Sequence, residues 1–477
     1  MRRYYGIYNT NILDAYSKYF YVEDVSGDTN NVIIKNVSTN VSYNDLSSIN
    51  LLYSYDSIQW IELPSFTSEG ITIHIPKKSK VYFKGINNRL AFDKYDLNNK
   101  QYICYINFTC EKTHNIGGNT MSLLYGDEFI DKIILPKNNN LTFYGLFQNS
   151  LTLNNAERLI LPATTLTNFC YQYMFNGCSN LKKSPVTLPA ETATNNCYQY
   201  MFQNCSSLET SPELQATKLS QNCYNQMFYN CNNLTMVQSE LPATILAKHC
   251  YQYMFYNCTK LTVTPKLPAT NLVDYCYSNM FNGCSNLSKI NSISGINLAP
   301  YCYYNMFQNC INLENAPELP ATTLYSNCYT NMFAGCKKLI TAPELPATTL
   351  AEACYQSMFS NCSSLINPPS ILPATNLTTK CYYNMFNGCT NLINSPILPS
   401  SNLANNCYQY MFQGCSKLNY VTALFINYSN NNDEFTNWLN GVSNTGTFVR
   451  NNNINYNVEE IRGKNGIPSN WNVITEE

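Results

Sequence analysis

An α/β solenoid with a small antiparallel β-sandwich ahead of it is the fold class this sequence predicts. Three observations carry that prediction. A unit of 26–27 residues recurs ten times between Cys170 and Leu418. Each copy reads C-Y-x-x-M-F-x-[G/N]-C-x-x-L, beginning at Cys170, Cys197, Cys223, Cys250, Cys276, Cys302, Cys328, Cys354, Cys381 and Cys407. Self-similarity at a period of this length marks stacked modules, not a closed globule. Ahead of the repeats, residues 20–125 alternate apolar and polar in short runs between Asn, Ser and Asp, as in Ile71-Thr72-Ile73-His74-Ile75 and Val81-Tyr82-Phe83, the pattern of short sandwich strands.

Within a repeat, advancing about 100° per residue puts Cys, Tyr, Met and Phe on one arc of a helix. In the first copy Cys170, Tyr171, Met174 and Phe175 are expected inside, with Gln172 and Tyr173 outside. Two residues after Phe stands Gly or Asn, as at Gly177, Asn204, Asn230 and Gly283. These types tolerate the left-handed conformation that ends a helix, so a helix of about two turns is expected. The fixed Leu (Leu181, Leu208, Leu234 and on to Leu418) marks a strand. A Pro four residues later, as at Pro185, Pro212, Pro317 and Pro343, removes a ladder donor and keeps that strand short and parallel. A Leu345-Pro346-Ala347-Thr348 type of turn then leads to the next unit. One unit cannot bury its own apolar face, so stability is collective.

Both ends read as capped. Phe143-Tyr144-Gly145-Leu146-Phe147-Gln148-Asn149-Ser150 is a degenerate copy without Cys, and Trp438 and Trp471 are expected to cover the last repeat. In the fifth copy Ile290-Asn291-Ser292-Ile293-Ser294-Gly295 replaces the Pro-Leu-Pro turn, as a bend, a partner contact or neutral variation. The expected organisation is an N-terminal docking arm or frayed tail over 1–19, a β-sandwich over 20–140, a capped solenoid over 141–418 and a C-terminal cap over 419–477.

Composition narrows function. Net charge is −1 and 12% of residues are charged, which excludes a phosphate-binding basic patch and a nucleic-acid partner. Polarity comes from Asn and from 39 Tyr. A neutral, hydrogen-bonding surface suits glycans or proteins; codon bias in an AT-rich genome is the competing account. There is no run of 18 apolar residues and no apolar segment behind Met1-Arg2-Arg3-Tyr4-Tyr5, so neither membrane insertion nor a secretory signal is expected.

Twenty of the 22 Cys lie in the repeats, eight apart within each copy. On a helix that spacing is about 12 Å, beyond the ~7 Å a disulfide spans. Equivalent Cys of neighbouring copies would lie about 5 Å apart, which leaves occasional inter-repeat bridges open. Free buried thiols in a reducing setting are the main expectation. The Tyr column from Tyr171 to Tyr408 is placed at the core margin with its hydroxyls toward water, and the Met column from Met174 to Met411 inside. His74, His114 and His249 sit in no motif. No catalytic, cofactor or metal site is expected, and the chain reads as a non-enzyme.

The repeat from Cys328 through Leu350 resembles the BspA-like leucine-rich repeats of gut Bacteroidales surface proteins. Tyr53-Ser54-Tyr55-Asp56-Ser57-Ile58-Gln59-Trp60 and Val81-Tyr82-Phe83-Lys84-Gly85 are similar to that family's N-terminal β-domain. Gly118-Asn119-Thr120-Met121-Ser122-Leu123-Leu124-Tyr125-Gly126-Asp127 is similar to its linking motif, and the Trp438-to-Gly441 and Gly466-to-Trp471 pieces to its C-terminal cap. The resemblance implies a right-handed solenoid with strands on the concave side, and adhesion. It also extends to fibre-type virion proteins of phages of these bacteria, crAss-like phages included. With no export signal read, a virion fibre or appendage for host attachment is the leading expectation. Its partners would be other virion proteins and a host-surface protein or glycan, with a homo-oligomer open. A bacterial cell-surface adhesin is the alternative. Ligand contacts are expected at strand positions after the fixed Leu: Lys182, Lys183, Glu209, Lys289, Glu314 and Tyr420.

Overall fold

The computed structural model describes residues 14–39, 46–66, 69–95, 98, 100–137, 139–429, 433–463 and 466–476. The first 13 residues of the expected arm lie outside them. Contacts divide the chain into two units, Met1–Gln238 and Ser239–Glu477.

The first unit opens with two sheets. One runs β10 (Leu153–Ile160), β9 (His114–Asn119), β1 (Phe20–Asp24), β6 (Lys80–Lys84), β3 (Leu52–Ser54), β4 (Ile61–Glu62). The other runs β5 (Ile71–Ile75), β2 (Asn30–Ser38), β8 (Gln101–Cys110), β7 (Ala91–Tyr95). Strand β2 alternates buried and half-buried residues, as a one-sided strand must. The sheets face each other through Phe20, Phe83 and Phe108, whose ring centroids lie 5.2–5.8 Å apart. Every pairing is antiparallel except β10 on β9. From β10 the bridges Asn155 to Lys183 to Thr210 to Met236 continue in parallel, so the sandwich sheet runs directly into the strand side of the coils. Residues 14–19 of the expected arm pack on this unit: Ala15 is buried against Ile160, and the Tyr19 hydroxyl donates to Asp127 at 2.7 Å.

The expected helix is absent. Among the described residues no helix falls in the repeats; the C-Y-x-x-M-F-x-[G/N]-C stretch is a chain of β-turns. The backbone shows why. The N–H groups of Gln172, Met174, Asn176 and Cys178 donate three residues back, to Phe169, Tyr171, Tyr173 and Phe175. The N–H groups between them, on Tyr171, Tyr173, Phe175 and Gly177, donate to Cys197, Gln199, Met201 and Gln203 of the next coil. Positive φ recurs every fourth residue along these turns, at Phe169, Tyr173 and Gly177. The same three places, one before the first Cys and three and seven after it, have positive φ in all ten copies. Of those thirty positions thirteen are Asn and five Gly, which makes backbone geometry a direct source of the Asn content. The variable pair does not simply face away either. Gln172 is buried, and its Nε2 donates to Gln199 Oε1 at 2.7 Å.

Interior columns follow. Tyr171, Tyr198 and Tyr224 stack in the first unit, and Tyr251 through Tyr408 in the second, with centroids 5.5–6.0 Å apart and rings within 15° of parallel. These ten Tyr are about 1% exposed, so the column lies in the core and its hydroxyls do not reach water. Phe and Met form parallel columns beside it. All 22 Cys are buried thiols outside any disulfide. The second Cys of a copy has a polar task as well: Cys205 Sγ donates to Phe175 O at 3.1 Å and Cys336 Sγ to Phe307 O at 3.2 Å.

Both ends carry degenerate coils. Leu141, Gly145 and Asn149 repeat the positive-φ spacing at the start, and Asp433, Asn437 and Gly441 at the finish. Trp438 lies 6.0 Å from Tyr408 and prolongs the Tyr column. Trp471 sits one layer further out, its Nε1 donating to Ser443 O at 2.8 Å. The second unit closes on four parallel strands, Asn394–Leu398, Tyr420–Ala423, Thr447–Arg450 and Asn472–Thr475.

The irregular fifth copy has a local consequence. A Cβ on Gly295 would meet the Tyr303 hydroxyl at 2.3 Å, and the Gly295 N–H hydrogen-bonds that oxygen. Among the described residues the buried hydroxyls of Tyr198, Tyr329 and Tyr382 have no hydrogen-bond partner. A buried unpaired hydroxyl costs more than a methine edge in its place. Tyr329→Phe is therefore expected to raise stability by about 1 kcal/mol and Tyr303→Phe to lower it by about 1 kcal/mol. Urea unfolding of the two variants checks this; equal shifts would contradict it.

Burial also pushes Cys178, Cys197 and Cys250 up to about 12. Unfolded thiols ionise from their ordinary value of 9.0, so the folded form holds protons that the unfolded form releases. The contribution is complete below pH 9 and is lost as pH rises from 9 through 12, at about 1.4 kcal/mol per thiol per pH unit. Urea midpoints are expected to fall steadily above pH 9. A flat profile to pH 11 would contradict protonated interior thiols.

Candidate interaction surface

The fixed Leu points inward and is buried, and the two residues after it stand at the outer side of the strand. The second of them carries the parallel bridges between neighbouring coils, Lys183 to Thr210 in the first unit and Asn315 to Thr341 to Asn367 in the second. The backbone is thus consumed by the ladder, and the side chains are left as the variable element.

The six sequence-predicted residues all lie on this side, yet they form no single cluster. In the first unit Lys183 Nζ pairs with Glu209 Oε2 at 3.0 Å, and Lys182 stands exposed beside them. In the second unit Lys289 bridges to Val263, Glu314 accepts at its carbonyl from the Ile340 N–H, and Tyr420 begins a strand, half-exposed. Lys289 and Glu314 lie in successive coils, while Tyr420 is four coils beyond Glu314.

Sequence reasoning missed the most continuous feature. Ile340, Ile366 and Ile393, each directly after a fixed Leu, are 46%, 45% and 43% exposed. Ile366 N–H donates to Ile340 O at 3.0 Å, which fixes them as neighbours in register. Ile371 bridges Ile397 further along the same coils, and both are partly exposed. The repeated Leu-Ile dipeptide was the available signal. Scattered exposed apolar residues are ordinary, whereas a contiguous column marks an interaction surface.

The histidines do not converge. His114 is buried under the first coil, and burial pushes it down to about 4; its Nδ1 lies 3.3 Å from Lys112 O. His74 lies on the exposed edge of β5 beside Asn31. His249 stacks on Tyr275 at 4.9 Å with Nδ1 2.9 Å from Gln252 Oε1, while the Cys250 thiol is sealed inside. Among the described residues no group of three or more His, Cys, Asp or Glu is arranged to hold a metal ion, and no helix is long and apolar enough to cross a membrane.

Comparison with known proteins gives one family and several folds. The BspA type Leucine rich repeat region matches residues 106–234, 198–340 and 345–440. The chain is similar to a leucine-rich repeat protein from Bacteroides ovatus ATCC 8483 at 13% identity, covering 81% of this chain and 98% of that one with a TM-score of 0.38. It is similar to the T. pallidum leucine rich repeat protein at 16% identity, covering 47% and 89% with a TM-score of 0.27. A leucine rich cell surface protein from Faecalibacterium prausnitzii A2-165 is similar at 14% identity, covering 70% and 89% with a TM-score of 0.24. No curated protein sequence matches.

The Lys183–Glu209 pair is half-exposed, so its coupling in a double-mutant cycle with Ala is expected to be below about 1 kcal/mol and to vanish in 1 M salt. A coupling that survives salt would show that the pair is part of the structural ladder and not of the free surface.

Proposed function

The chain belongs to the BspA-type leucine-rich repeat family, and on that premise we propose that it is a non-enzymatic attachment protein whose strand-side columns meet a partner on a surface. One observation carries the reading. From copy to copy the interior is constant and closed, while the pair after the fixed Leu changes chemistry and stays outside: Lys182-Lys183, Glu209-Thr210, Ser288-Lys289, Glu314-Asn315, Ile340-Thr341. A scaffold that fixes its backbone and varies two side chains per coil is suited to recognition spread over many weak contacts.

The surface would serve in two settings. On a virion, as a fibre or appendage, it would join other virion proteins to a host-surface protein or glycan. On a bacterial cell it would act as an adhesin. The side-chain columns do the same work in both.

Fluorescently labelled protein is expected to decorate cultured gut Bacteroidales cells or host epithelial cells. Alanine at Lys182, Lys183, Glu209, Lys289, Glu314 and Tyr420 together is expected to cut that decoration several-fold with the fold intact by circular dichroism. Unchanged decoration would remove these residues from the contact. Mass spectrometry of purified phage particles against surface-shaved cells separates the two settings.

A further inference from the structure

In most coils of the second unit the segment leading to the Pro-Ala turn joins the ladder. Leu267 N–H donates to Ser292 O at 3.0 Å and Ser294 N–H to Leu267 O at 3.1 Å; Leu372 N–H donates to Ile397 O at 3.0 Å and Ile397 N–H to Ser370 O at 3.1 Å. Between these pairs the ladder stops. Among the described residues no backbone hydrogen bond joins 291–294 to 317–320, 317–320 to 343–346, or 343–346 to 369–372. The coils are in register on either side of the gap, through Asn315 with Thr341 and Thr323 with Thr349.

The sequence explains the gap. Both segments read Pro-Glu-Leu-Pro: Pro317-Glu318-Leu319-Pro320 and Pro343-Glu344-Leu345-Pro346. Pro removes donors on both flanks of each segment. One Pro-x-Leu-Pro can pair, as Pro265-Lys266-Leu267-Pro268 does with both neighbours, whereas the two adjacent segments are unpaired on their outer sides as well. Here two are adjacent, and Glu318 and Glu344 face one another in register, where like charges repel. The result is a groove of about 490 Å³ lined by Ala316, Leu319, Pro320, Ala342, Pro343 and Pro346, with both Glu residues at its rim. The Leu319 and Leu345 side chains are buried. Glu344 accepts from the Ser370 N–H at 3.1 Å and from Ser370 Oγ at 2.8 Å. The Glu318 carboxylate has no partner among the described residues.

We propose that this groove takes an extended peptide segment of a partner protein, with Lys or Arg facing Glu318 and Glu344 and apolar side chains on the Pro-Ala walls. A strand-like guest supplies what the gap lacks, namely backbone donors and acceptors for the Glu318-Leu319 and Glu344-Leu345 peptide groups. Charge complementarity selects a basic guest. The inference deepens the attachment reading and rests on it for its biological role.

The test is fluorescence anisotropy with fluorescein-labelled heptapeptides on the full chain. The VKVKVKV peptide is expected to bind at least about tenfold tighter than VEVEVEV, and N-methylation of its valines to weaken it about tenfold, because strand addition uses the peptide N–H groups. Glu318→Gln with Glu344→Gln is expected to weaken the Lys peptide about tenfold while leaving the melting curve in place. The N-methylated arm needs no variant and holds even if the double variant misfolds. Undetectable binding, equal binding of the two peptides, or indifference to N-methylation would overturn the proposal. Because no cells are involved, that failure is separate from a failure of surface attachment: a chain that still decorates cells would do so through the outer columns.

Discussion

The structure depends on how the backbone of C-Y-x-x-M-F-x-[G/N]-C spends its hydrogen bonds. Alternate N–H groups close turns within a coil, and the ones between them reach the next coil. Carbonyls divide in the same way, so each peptide group has one task and no buried group is left over. A helix would have closed every bond within the segment and left neighbouring coils to meet through side chains alone. The turn chain fixes the coil-to-coil contact in register, since four backbone hydrogen bonds tie Tyr171, Tyr173, Phe175 and Gly177 to the following copy. That register is what brings like residues face to face. The stacked Tyr and Phe rings, the thiol-to-carbonyl bonds and the amide chain from Gln172 through Gln199 to Asn225 are its consequences.

A closed interior of this kind moves all selectivity outward. The Cys side chains and the ten Tyr of the interior column are buried out of reach of solvent, and burial raises their pKa values, as at Cys197 and Tyr198. What is left to differ between copies is the outer side of the strand and the turn that follows it. The strand side offers ions in the first unit and a run of isoleucines in the second. The turn side offers a place where the ladder itself comes apart. These are different surfaces on one scaffold, and both arise from substitutions at positions the interior does not constrain.

Much of this was legible in the sequence, for a physical reason. Repeat boundaries, interior residues, the short parallel bridge after the fixed Leu and the degenerate end copies all follow from periodicity, which survives any detail of the local backbone. Helix against turn was not resolved by it. Apolar residues at Cys, Tyr, Met and Phe satisfy a period of 3.6 and a period of four equally well over nine residues. The discriminating signal lay at the polar positions, where Asn, Gly or Tyr recurs every fourth residue at places such as Asn196, Tyr200 and Asn204. The Tyr hydroxyls were misplaced for the same reason, because a helical wheel puts them at the edge of the arc and the turn chain puts them inside. The isoleucine column is written in the sequence as the Leu-Ile dipeptides at Leu339-Ile340, Leu365-Ile366 and Leu392-Ile393. The open ladder around Glu318 and Glu344 could not be read from one repeat, since a Pro-x-Leu-Pro segment pairs at Lys266-Leu267 and not at Glu318-Leu319.

The direction of the inter-coil bonds also accounts for the unequal ends. In the turn chain every inter-coil N–H points toward the following copy, so there the first coil of the first unit presents carbonyls and the last coil of the second unit presents N–H groups. Carbonyls need donors, and the sandwich provides them: Leu90 and Phe108 N–H groups donate to Thr142 and Leu146, and Asn107 Nδ2 donates to Gly145 and Gln148. Phe147 meanwhile extends the Phe column onto Phe20 and Phe108 of the sandwich core. The N-terminal domain is therefore a chemical terminator of the ladder as well as a neighbour to it. At the other end the coil of Asp433, Asn437 and Gly441 receives the bonds from Tyr408, Tyr410, Phe412 and Gly414. Beyond it the regular turn chain gives way to the strands Thr447–Arg450 and Asn472–Thr475. Turn-chain bonds that run one way leave carbonyls at the start and N–H groups at the finish, and the β-domain and the degenerate, Trp-filled coil meet these two different ends.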